Sequence, residues 1–308
     1  MLLCLPKYKD SVVVRSRDPD VLKSCGTLVD VGAVYDHSRS MYDHHQREFA
    51  STNVFPGQKI KLSSAGLVYK HFGGEIIESL VGPLDKTTRE LLVNKVYERV
   101  VKEVDAIDNG VSITDGDTKY KINTNLSSRV GRLNPDWNAS SEESSDKARN
   151  GNFRLAMSMV FEELCDAVEW YAYSWLPARD IVLKAVREPV FTNDSKEALI
   201  IKIDRYCPWK SHLFDIETEL KIQGKILYVL YPDSSGNWRV QAVPPEQSSF
   251  DCRKKLPEPW RGVRNDALDK LTGLPGCIFV HAAGFIGGAK SYDTAFQMAK
   301  MSVNFSSK

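Results

Sequence analysis

The sequence predicts an α/β protein, with a doubly wound parallel sheet in the first domain and a smaller α/β domain at the C-terminal end. Three observations lead to this prediction. Short apolar segments alternate with amphipathic segments in the first half, as strands and helices do around a parallel sheet. The polar segment 134–152 reads as a loop or linker. A length of 308 residues is enough for two domains, predicted here as 1–140 and 141–308.

Two apolar segments near the start of the chain predict strands. Residues 11–14, Ser-Val-Val-Val, are rich in β-branched side chains and are followed by turn residues. Residues 26–33 contain a second apolar run, with Asp30 near its end. In an open α/β sheet, ligands bind at the carboxyl ends of the strands, so Asp30 is placed where a site is expected.

Two helices are predicted after these strands. Ser63 or Ser64 is a suitable N-cap for a short helix that we expect to end at Gly73 and Gly74. The clearest helix lies within residues 85–110, where apolar side chains recur at three- and four-residue steps. The residues of this apolar face are Leu92, Val96, Val100, Val104 and Ile107.

The second half of the chain begins with a long amphipathic segment and continues with strand signals. Residues 153–186 predict helix, with a break expected at Pro177. Residues 226–231 and 238–243 predict a hairpin joined by an Asp-Ser-Ser-Gly turn. Residues 276–303 predict a strand, a glycine loop and a helix.

The composition is that of a globular protein in a reducing compartment. Hydrophobic residues make up 42% and charged residues 26%. The apolar runs are too short or too rich in glycine to cross a bilayer, and the opening residues lack the features of a signal peptide. The six cysteines form no CxxC pair. We therefore expect an intracellular protein with no membrane partner, and the net charge of +1 gives no independent argument for nucleic acid.

Acidic residues and histidines of the first half form the first candidate site. Its members are Asp30, Asp43, His44, His45, Asp105 and Asp108. Mixed imidazole and carboxylate ligands suit Mn²⁺, Fe²⁺ or Zn²⁺ better than Ca²⁺ or Mg²⁺. Neighbouring side chains in an extended segment point in opposite directions, so one histidine can bind metal while the other faces something else. The alternative is that there is no metal site. In that case Asp30 caps a turn, His44 and His45 lie on a polar loop, and the helix end is solvated.

Two weaker candidates lie in the second half. The first is the predicted glycine loop. Its glycines let backbone N–H groups approach an anion, which the following helix N-terminus also favours. The alternative is a tight connection that binds no ligand. These residues are Gly284, Gly287, Gly288 and Lys290. Aromatic residues beside cations are typical of base stacking and phosphate binding, but also of core anchors. This group consists of Trp209, Lys210, His212, Trp260, Arg261 and Arg264.

The motif Asp43-His44-His45, taken with Asp30 and residues 105–110, resembles the DHH phosphoesterase superfamily. More narrowly, the chain resembles the MYG family, the melanocyte-proliferating-gene exonucleases. The resemblance runs along nearly the whole chain. Its segments in order include "RDPDVL", "YDHHQREF", "KLSSAGLVY", "EVDAIDNG", "SWLPAR", "LPEPWRG" and "GCIFVHAAGFIGG".

The resemblance implies a two-domain, metal-dependent phosphodiesterase that acts as a 3′–5′ RNA exonuclease in the nucleus or the mitochondrion. The expected metal is Mn²⁺, with Mg²⁺ as the alternative. Asp30 and His44 would be metal ligands, with Asp105 or Asp108 as the closing carboxylate. His45 would face the scissile phosphate beside Asp43, and these two are the expected catalytic residues.

The resemblance also implies a substrate-gripping site in the second domain. Relatives use a Gly-Gly-Gly-His motif, where this chain has Gly287-Gly288-Ala289-Lys290. The expected substrate-binding residues are Gly284, Gly287, Gly288, Lys290 and His281. The family pattern further includes an opening motif, Thr-His-x-Gly-x-x-His-x-Asp-Glu, that these residues do not contain. We therefore expect one metal ion rather than two, with weak RNA hydrolysis; the alternative is an inactive member that binds RNA or a protein partner.

Overall fold

The chain has an α/β fold that divides into two compact units. The computed structural model describes residues 1–46, 54–195 and 197–305. The units are Met1–Tyr173 and Ser174–Lys308, so the boundary predicted after residue 140 falls inside the first unit. The α/β class predicted from the sequence is confirmed. Among the described residues, none of the helices combines the length and apolar character needed to cross a bilayer.

The first unit is mainly helical. Its helices are α1 (Pro19–Lys23), α2 (Ser64–Val81), α3 (Lys86–Val96), α4 (Lys102–Asp108), α5 (Leu126–Gly131) and α6 (Asp146–Glu169). Its strands are β1 (Leu28–Val29), β2 (Tyr35–Asp36) and β3 (Met41–Tyr42). The start of α6 corrects the prediction that residues 134–152 are a continuous loop. A π-helical turn, Tyr97–Val101, joins α3 to α4.

The sheet of the first unit is small and mixed. Its strand order is β1-β3-β2, with β1 parallel and β2 antiparallel to β3. The predicted doubly wound parallel sheet is thus represented by one parallel pair of two-residue strands. Residues 11–14 form no strand, and Val12 is 85% exposed. In the described part of the chain no strand pairs with them. A β-branched segment forms a strand only when a neighbouring strand supplies hydrogen-bond partners for its backbone.

Helix α2 lies at the centre of the first unit's core. Leu67 and Ile76 on this helix are fully buried. The helix does not end at Gly73 and Gly74 as predicted but continues to Val81. A side chain at position 74 would collide with the guanidinium of Arg89, so glycine there lets α3 approach α2 closely. Tertiary packing outweighs the low helix propensity of glycine at this point.

The second unit is a six-stranded mixed sheet between helices. Its helices are α7 (Leu176–Arg187), α8 (Trp209–Leu220), α9 (Asn265–Thr272) and α10 (Tyr292–Asn304). Its strands are β4 (Phe191–Thr192), β5 (Leu199–Lys202), β6 (Ile226–Pro232), β7 (Trp238–Ala242), β8 (Cys277–Val280) and β9 (Ile286–Ala289), in the order β4-β5-β6-β7-β9-β8. The predicted hairpin is confirmed as β6 and β7. Pro177 does not break the helical segment; it lies in the first turn of α7, after a π-helical turn at Trp170–Trp175.

Alternate residues of the strands build two cores on the two faces of this sheet. Ile201 and Val229 pack with α7 and α8 on one face. Ile200 and Leu230 belong to the core on the other face, together with Met298 of α10. This alternation follows from the two-residue period of a strand.

Candidate metal centre

The acidic and histidine residues of the first unit meet where β1 and β3 end. Asp30 directly follows β1, and Asp43 directly follows its parallel neighbour β3. The chain turns sharply after β1, with positive φ angles of 63° at Asp30, 93° at Gly32 and 51° at Ala33. Aspartate tolerates this left-handed conformation better than most residues. The turn holds the Asp30 carboxyl group at the sheet edge where the sequence predicted it.

Asp43 is buried and organises its surroundings through hydrogen bonds. Its Oδ2 accepts from the N–H of Ala33 at 2.7 Å, and its Oδ1 accepts from the N–H of His45 at 3.0 Å. The ring Nδ1 of His45 lies 2.7 Å from the same Oδ1. Burial raises the pKa of the Asp43 carboxyl group, but the hydrogen bonds from His45 and Ala33 outweigh it, so the pKa lies below its usual value. Asp43 therefore fixes the turn after β1 and the orientation of His45.

The two adjacent histidines differ in exposure but face the same cluster. The His44 side chain is 5% exposed, whereas that of His45 is 57% exposed. Their ring centres lie 4.2 Å apart. Because the Nδ1 of His45 is held by Asp43, its Nε2 is directed away from the carboxylate and is available to a ligand.

His44 lies between two carboxylates and the start of α2. Its Nδ1 accepts from the N–H of Ser64 at 3.2 Å and lies 3.7 Å from Oδ1 of Asp30. Its Nε2 lies 3.6 Å from Oδ2 of Asp108. Ser64 was recognised in the sequence as part of a helix start, but no local pattern connects it to a histidine 20 positions earlier.

Asp105 and Asp108, predicted to share a face, have different environments. Asp105 is completely buried; its Oδ1 accepts from the N–H and hydroxyl of Ser63 at 2.9 and 2.7 Å, and its Oδ2 accepts from the hydroxyl of Tyr97 at 2.9 Å. Burial raises the pKa of Asp105 despite these hydrogen bonds. A side chain at Gly66 would collide with its carboxylate. Of the two predicted alternatives, Asp108 is the one that faces His44.

The side chains at the sheet edge are spaced as ligands of one cation. One ligand atom from each of Asp30, Asp43, His44 and His45 lies within 4.8 Å of all the others. Nitrogen and oxygen ligands about 2.1 Å from an ion are roughly 3–4 Å apart, and the Nε2 of His44 lies 3.6 Å from Oδ2 of Asp108. The donor set of imidazoles and carboxylates fits a divalent transition metal. The motif's last residues, 47–49, lie outside the described residues.

Fold and site together define an α/β protein with a candidate divalent-metal centre at the carboxyl ends of two parallel strands. The chain belongs to the family described as Uncharacterised protein family (UPF0160), whose model, MYG1_exonuc, matches residues 1–303. It is similar to "MYG1 exonuclease" of Homo sapiens, with 45% identity over 97% of this chain and 80% of the relative. The "MYG1 protein" of Dictyostelium discoideum is 44% identical over 100% of this chain and 92% of the relative. These matches confirm the predicted family; no solved structure matches.

The predicted substrate-binding residues lie in the second unit, around β8 and β9. The expected glycine loop was wrong in its local structure, because Gly287 and Gly288 belong to β9 and pair with strands on both sides. The N–H of Lys290 donates to the carbonyl of Gly276, and α10 begins only at Tyr292. The amides proposed to bind an anion are thus engaged in the sheet.

Two other residues of that prediction lie in the connection between β8 and β9. His281 is exposed, and its Nδ1 accepts from the N–H of Ala283 at 3.1 Å. Gly284 has a φ of 74°, and its lack of a side chain makes room for Arg261. The substrate-binding roles of His281, Gly284, Gly287, Gly288 and Lys290 stay predictions.

The tryptophans of the third candidate group are core residues. Trp209 is 2% exposed and Trp260 is 5% exposed. His212 is fully buried, and its Nε2 lies 2.7 Å from the carbonyl oxygen of Trp175. The core-anchor alternative is therefore confirmed for these residues.

Proposed function

We propose that this protein is a metal-dependent nuclease that hydrolyses RNA from its 3′ end. The observation that carries the proposal is the cluster of Asp30, Asp43, His44 and His45, whose ligand atoms lie within 4.8 Å of one another. Membership of the family and similarity to relatives named "MYG1 exonuclease" support it. Mn²⁺ is the proposed cofactor because the ligands combine imidazole and carboxylate. RNA as substrate, the 3′–5′ direction and residence in the nucleus or mitochondrion come from the resemblance.

The proposed roles follow from where each side chain is held. Asp30, His44 and Asp108 would hold the cation. When bound, a divalent cation supplies Lewis acidity that lowers the pKa of an attacking water and neutralises charge on the phosphate oxygens. Asp105 is a positioning residue: it accepts hydrogen bonds from Ser63 and so fixes the start of α2, from which Ser64 orients His44.

His45 is the proposed catalytic residue. Asp43 accepts the hydrogen bond of Nδ1 and so fixes both the ring orientation and the tautomer. Nε2 then presents a lone pair to solvent, where it can take a proton from water or, once protonated, give one to a departing oxygen. Its exposed side chain is accessible to a phosphodiester, whereas buried His44 is not.

The test separates metal binding from chemistry. Mn²⁺ binding is measured by calorimetry, and shortening of a 5′-labelled single-stranded RNA is followed on a gel. Asp30→Asn should weaken Mn²⁺ binding by at least about tenfold. His45→Gln should bind Mn²⁺ as the parent does but shorten RNA about 10²–10⁴-fold more slowly. Asp20→Asn, at an exposed residue of the same unit, is the matched control.

The outcomes distinguish the nuclease from its alternative. One-nucleotide shortening of the 5′-labelled RNA supports removal from the 3′ end, and an equal rate on DNA of the same sequence would contradict RNA specificity. Equal Mn²⁺ binding by the parent, Asp30→Asn and Asp20→Asn would remove the basis of the metal centre. RNA binding without shortening at any Mn²⁺ or Mg²⁺ concentration would favour the non-catalytic RNA-binding protein.

A further inference from the structure

Aromatic and arginine side chains form a line across the sheet of the second unit. Tyr231, Arg239, Gly288 and Phe279 are successive cross-strand partners on β6, β7, β9 and β8. Arg264 extends the line because it forms an antiparallel bridge with Phe279. Directly opposed residues point to the same face of a sheet. These five residues are called the aromatic–arginine row.

The row continues a sheet face beyond the part that helices cover. The core under α7 and α8 takes its strand residues mainly from β5 and β6. On β7, β9 and β8 the core residues point to the opposite face of the sheet, where they pack in the core that contains α10; they are Val240, Ala289 and Val280. Arg264 is exposed, and the Arg239 side chain is 23% exposed. The two arginines on this part of the face are therefore reachable from solvent.

Gly288 allows the arginine at the centre of the row to lie flat on the sheet. A Cβ at position 288 would be 2.5 Å from Nη1 of Arg239 and 2.7 Å from the Phe279 ring. Without it, the Arg239 guanidinium carbon lies 5.3 Å from the centre of the Phe279 ring, and that of Arg264 lies 5.8 Å from it. Both distances are in the cation–π range. This close approach gives Gly288 a role that does not require a glycine loop.

Arg239 is held in place within the row. It forms an ion pair with Asp233 through Nη2. Its Nη1 is buried, has no hydrogen-bond partner within the described ranges, and packs against the Phe279 ring. The side chain as a whole is 23% exposed, so part of it can be reached from solvent.

A cleft of about 510 Å³ adjoins the row. Arg205, Tyr206, Tyr231 and Arg239 contribute to its lining. Tyr206 is 64% exposed, and its ring centre lies 5.2 Å from that of Tyr231. Cationic groups exceed the single carboxylate of Asp233, so the cleft and the row favour an anionic ligand with flat rings.

We propose that the cleft and the aromatic–arginine row bind a single-stranded nucleic acid. Bases would stack on the exposed ring of Tyr206, and phosphates would contact Arg205, Arg239 and Arg264. Aromatic platforms interspersed with cations are the usual means of holding single strands without reading their sequence. The proposal rests on the proposed function for the class of ligand and assigns a binding surface to it.

The test measures binding without hydrolysis. A fluorescein-labelled 12-nucleotide RNA is titrated with the full chain in EDTA, and fluorescence anisotropy is recorded at several salt concentrations. Tyr206→Ala should weaken binding by about tenfold, since stacking contributes that much per base. Arg264→Ala should weaken binding and lower the slope of log K against log salt by about 0.7. Phe250→Ala and Arg187→Ala, exposed residues of the same unit, should change affinity less than twofold.

The two proposals fail in different ways. Equal affinity for the parent, Tyr206→Ala and Arg264→Ala would overturn the row as a binding surface, even if the chain shortens RNA with Mn²⁺. Equal losses in the variants and their controls would overturn it as well. Weaker binding confined to Tyr206→Ala and Arg264→Ala would uphold the row, even if the parent never shortens RNA.

Discussion

Two aspartates three positions apart on one helix act differently in this protein. Asp105 is sealed in the core by hydrogen bonds from Ser63 and Tyr97, whereas the Asp108 side chain is 45% exposed and faces His44. Sequence reasoning grouped them because residues at i and i+3 are neighbours on a helix. It could not foresee Ser63, which lies 42 positions earlier. The pairing of Asp43 with the histidines, by contrast, is local and readable from the sequence.

Replacing Asp105 by alanine should destabilise the fold. The hydroxyls of Ser63 and Tyr97 and the N–H of Ser63 would lose their acceptor inside the protein. We expect the free energy of unfolding to fall by about 2–4 kcal/mol. Urea denaturation followed by circular dichroism measures this. Asp108→Ala, at an exposed position of the same helix, should cost less than about 0.5 kcal/mol, and similar losses in both variants would contradict the structural role of Asp105.

His71 should make the stability of the protein depend on acid pH. Its ring stacks on His37 at 3.7 Å, and its Nε2 lies 2.8 Å from the hydroxyl of Tyr35. Burial, with smaller contributions from His37 and Lys70, lowers the pKa of His71 to about 4. The folded state thus favours the neutral ring. The resulting stability is present above the unfolded pKa of about 6.5 and is lost as the pH falls towards 4.

The size of this pH effect is modest because the ring is partly exposed. Solvent screening reduces it to about 1 kcal/mol. Urea unfolding at pH 7 and pH 5 should show a smaller loss of stability on acidification for His71→Gln than for the parent. His281→Gln, which leaves His71 in place, is the control. An unchanged pH dependence in His71→Gln would show that other groups cause it.

At the scale of elements, the π-helical turn between α3 and α4 decides which residues face the core. Leu92 and Val96 are buried as predicted, but the buried positions then become Tyr97, Val101 and Asp105. A π turn contains one more residue than an α turn, so the buried face moves one position along the chain. The regular period used in sequence reasoning placed Ile107 in the core, and it is 41% exposed.

Deleting Arg99, an exposed residue of the π turn, should leave the site in place. The remaining residues can close an ordinary α turn, which keeps α4 in the same phase relative to α3. Tyr97 and Asp105 would then be seven rather than eight positions apart, which still places them on one helix face. We expect the free energy of unfolding to change by less than about 1 kcal/mol and Mn²⁺ affinity to stay close to that of the parent. Deletion of Gly116, in an exposed segment, is the control. Loss of Mn²⁺ binding after the Arg99 deletion, but not after the Gly116 deletion, would show that the π turn itself positions the site.

Other elements show which parts of the fold are encoded locally. The hairpin of β6 and β7 was predicted because its turn residues and its strands are contiguous in sequence. Residues 11–14 have equal strand propensity, but a strand needs a neighbour, and propensity does not supply one. Conversely, the glycines of β9 adopt strand conformation despite their low strand propensity, because β7 and β8 pair with them on both sides.

At the scale of the whole molecule, the two units have separate apolar cores. One core draws on residues from Leu5 to Val168, and the other two draw on residues from Ala178 to Val303. Mn²⁺ at a hundred times its Kd should stabilise the unit that binds it by about 2.7 kcal/mol. The hydrogen-exchange rate of those amides of α2 and α4 that exchange only when the site opens should then fall by about a hundredfold.

Hydrogen exchange with mass spectrometry measures this for each peptide. Peptides from β6 and β7 should exchange at the same rate with and without Mn²⁺, because their core is built without residues of the first unit. The His44→Gln variant should show no protection of α2 or α4. Protection spread evenly over both units would contradict independent stabilisation.

The separation of the cores also has a consequence for synthesis. Each unit is one uninterrupted stretch of chain, and the first stretch is complete at Tyr173. A ribosome adds about 5–20 residues per second, so translating the second stretch takes on the order of ten seconds, whereas domains of mixed topology fold within roughly milliseconds to seconds. The first unit therefore has time to fold while the second is still being translated. We expect the nascent chain to bring Asp30 and His44 together, and to gain its affinity for metal, before translation of the second unit is complete.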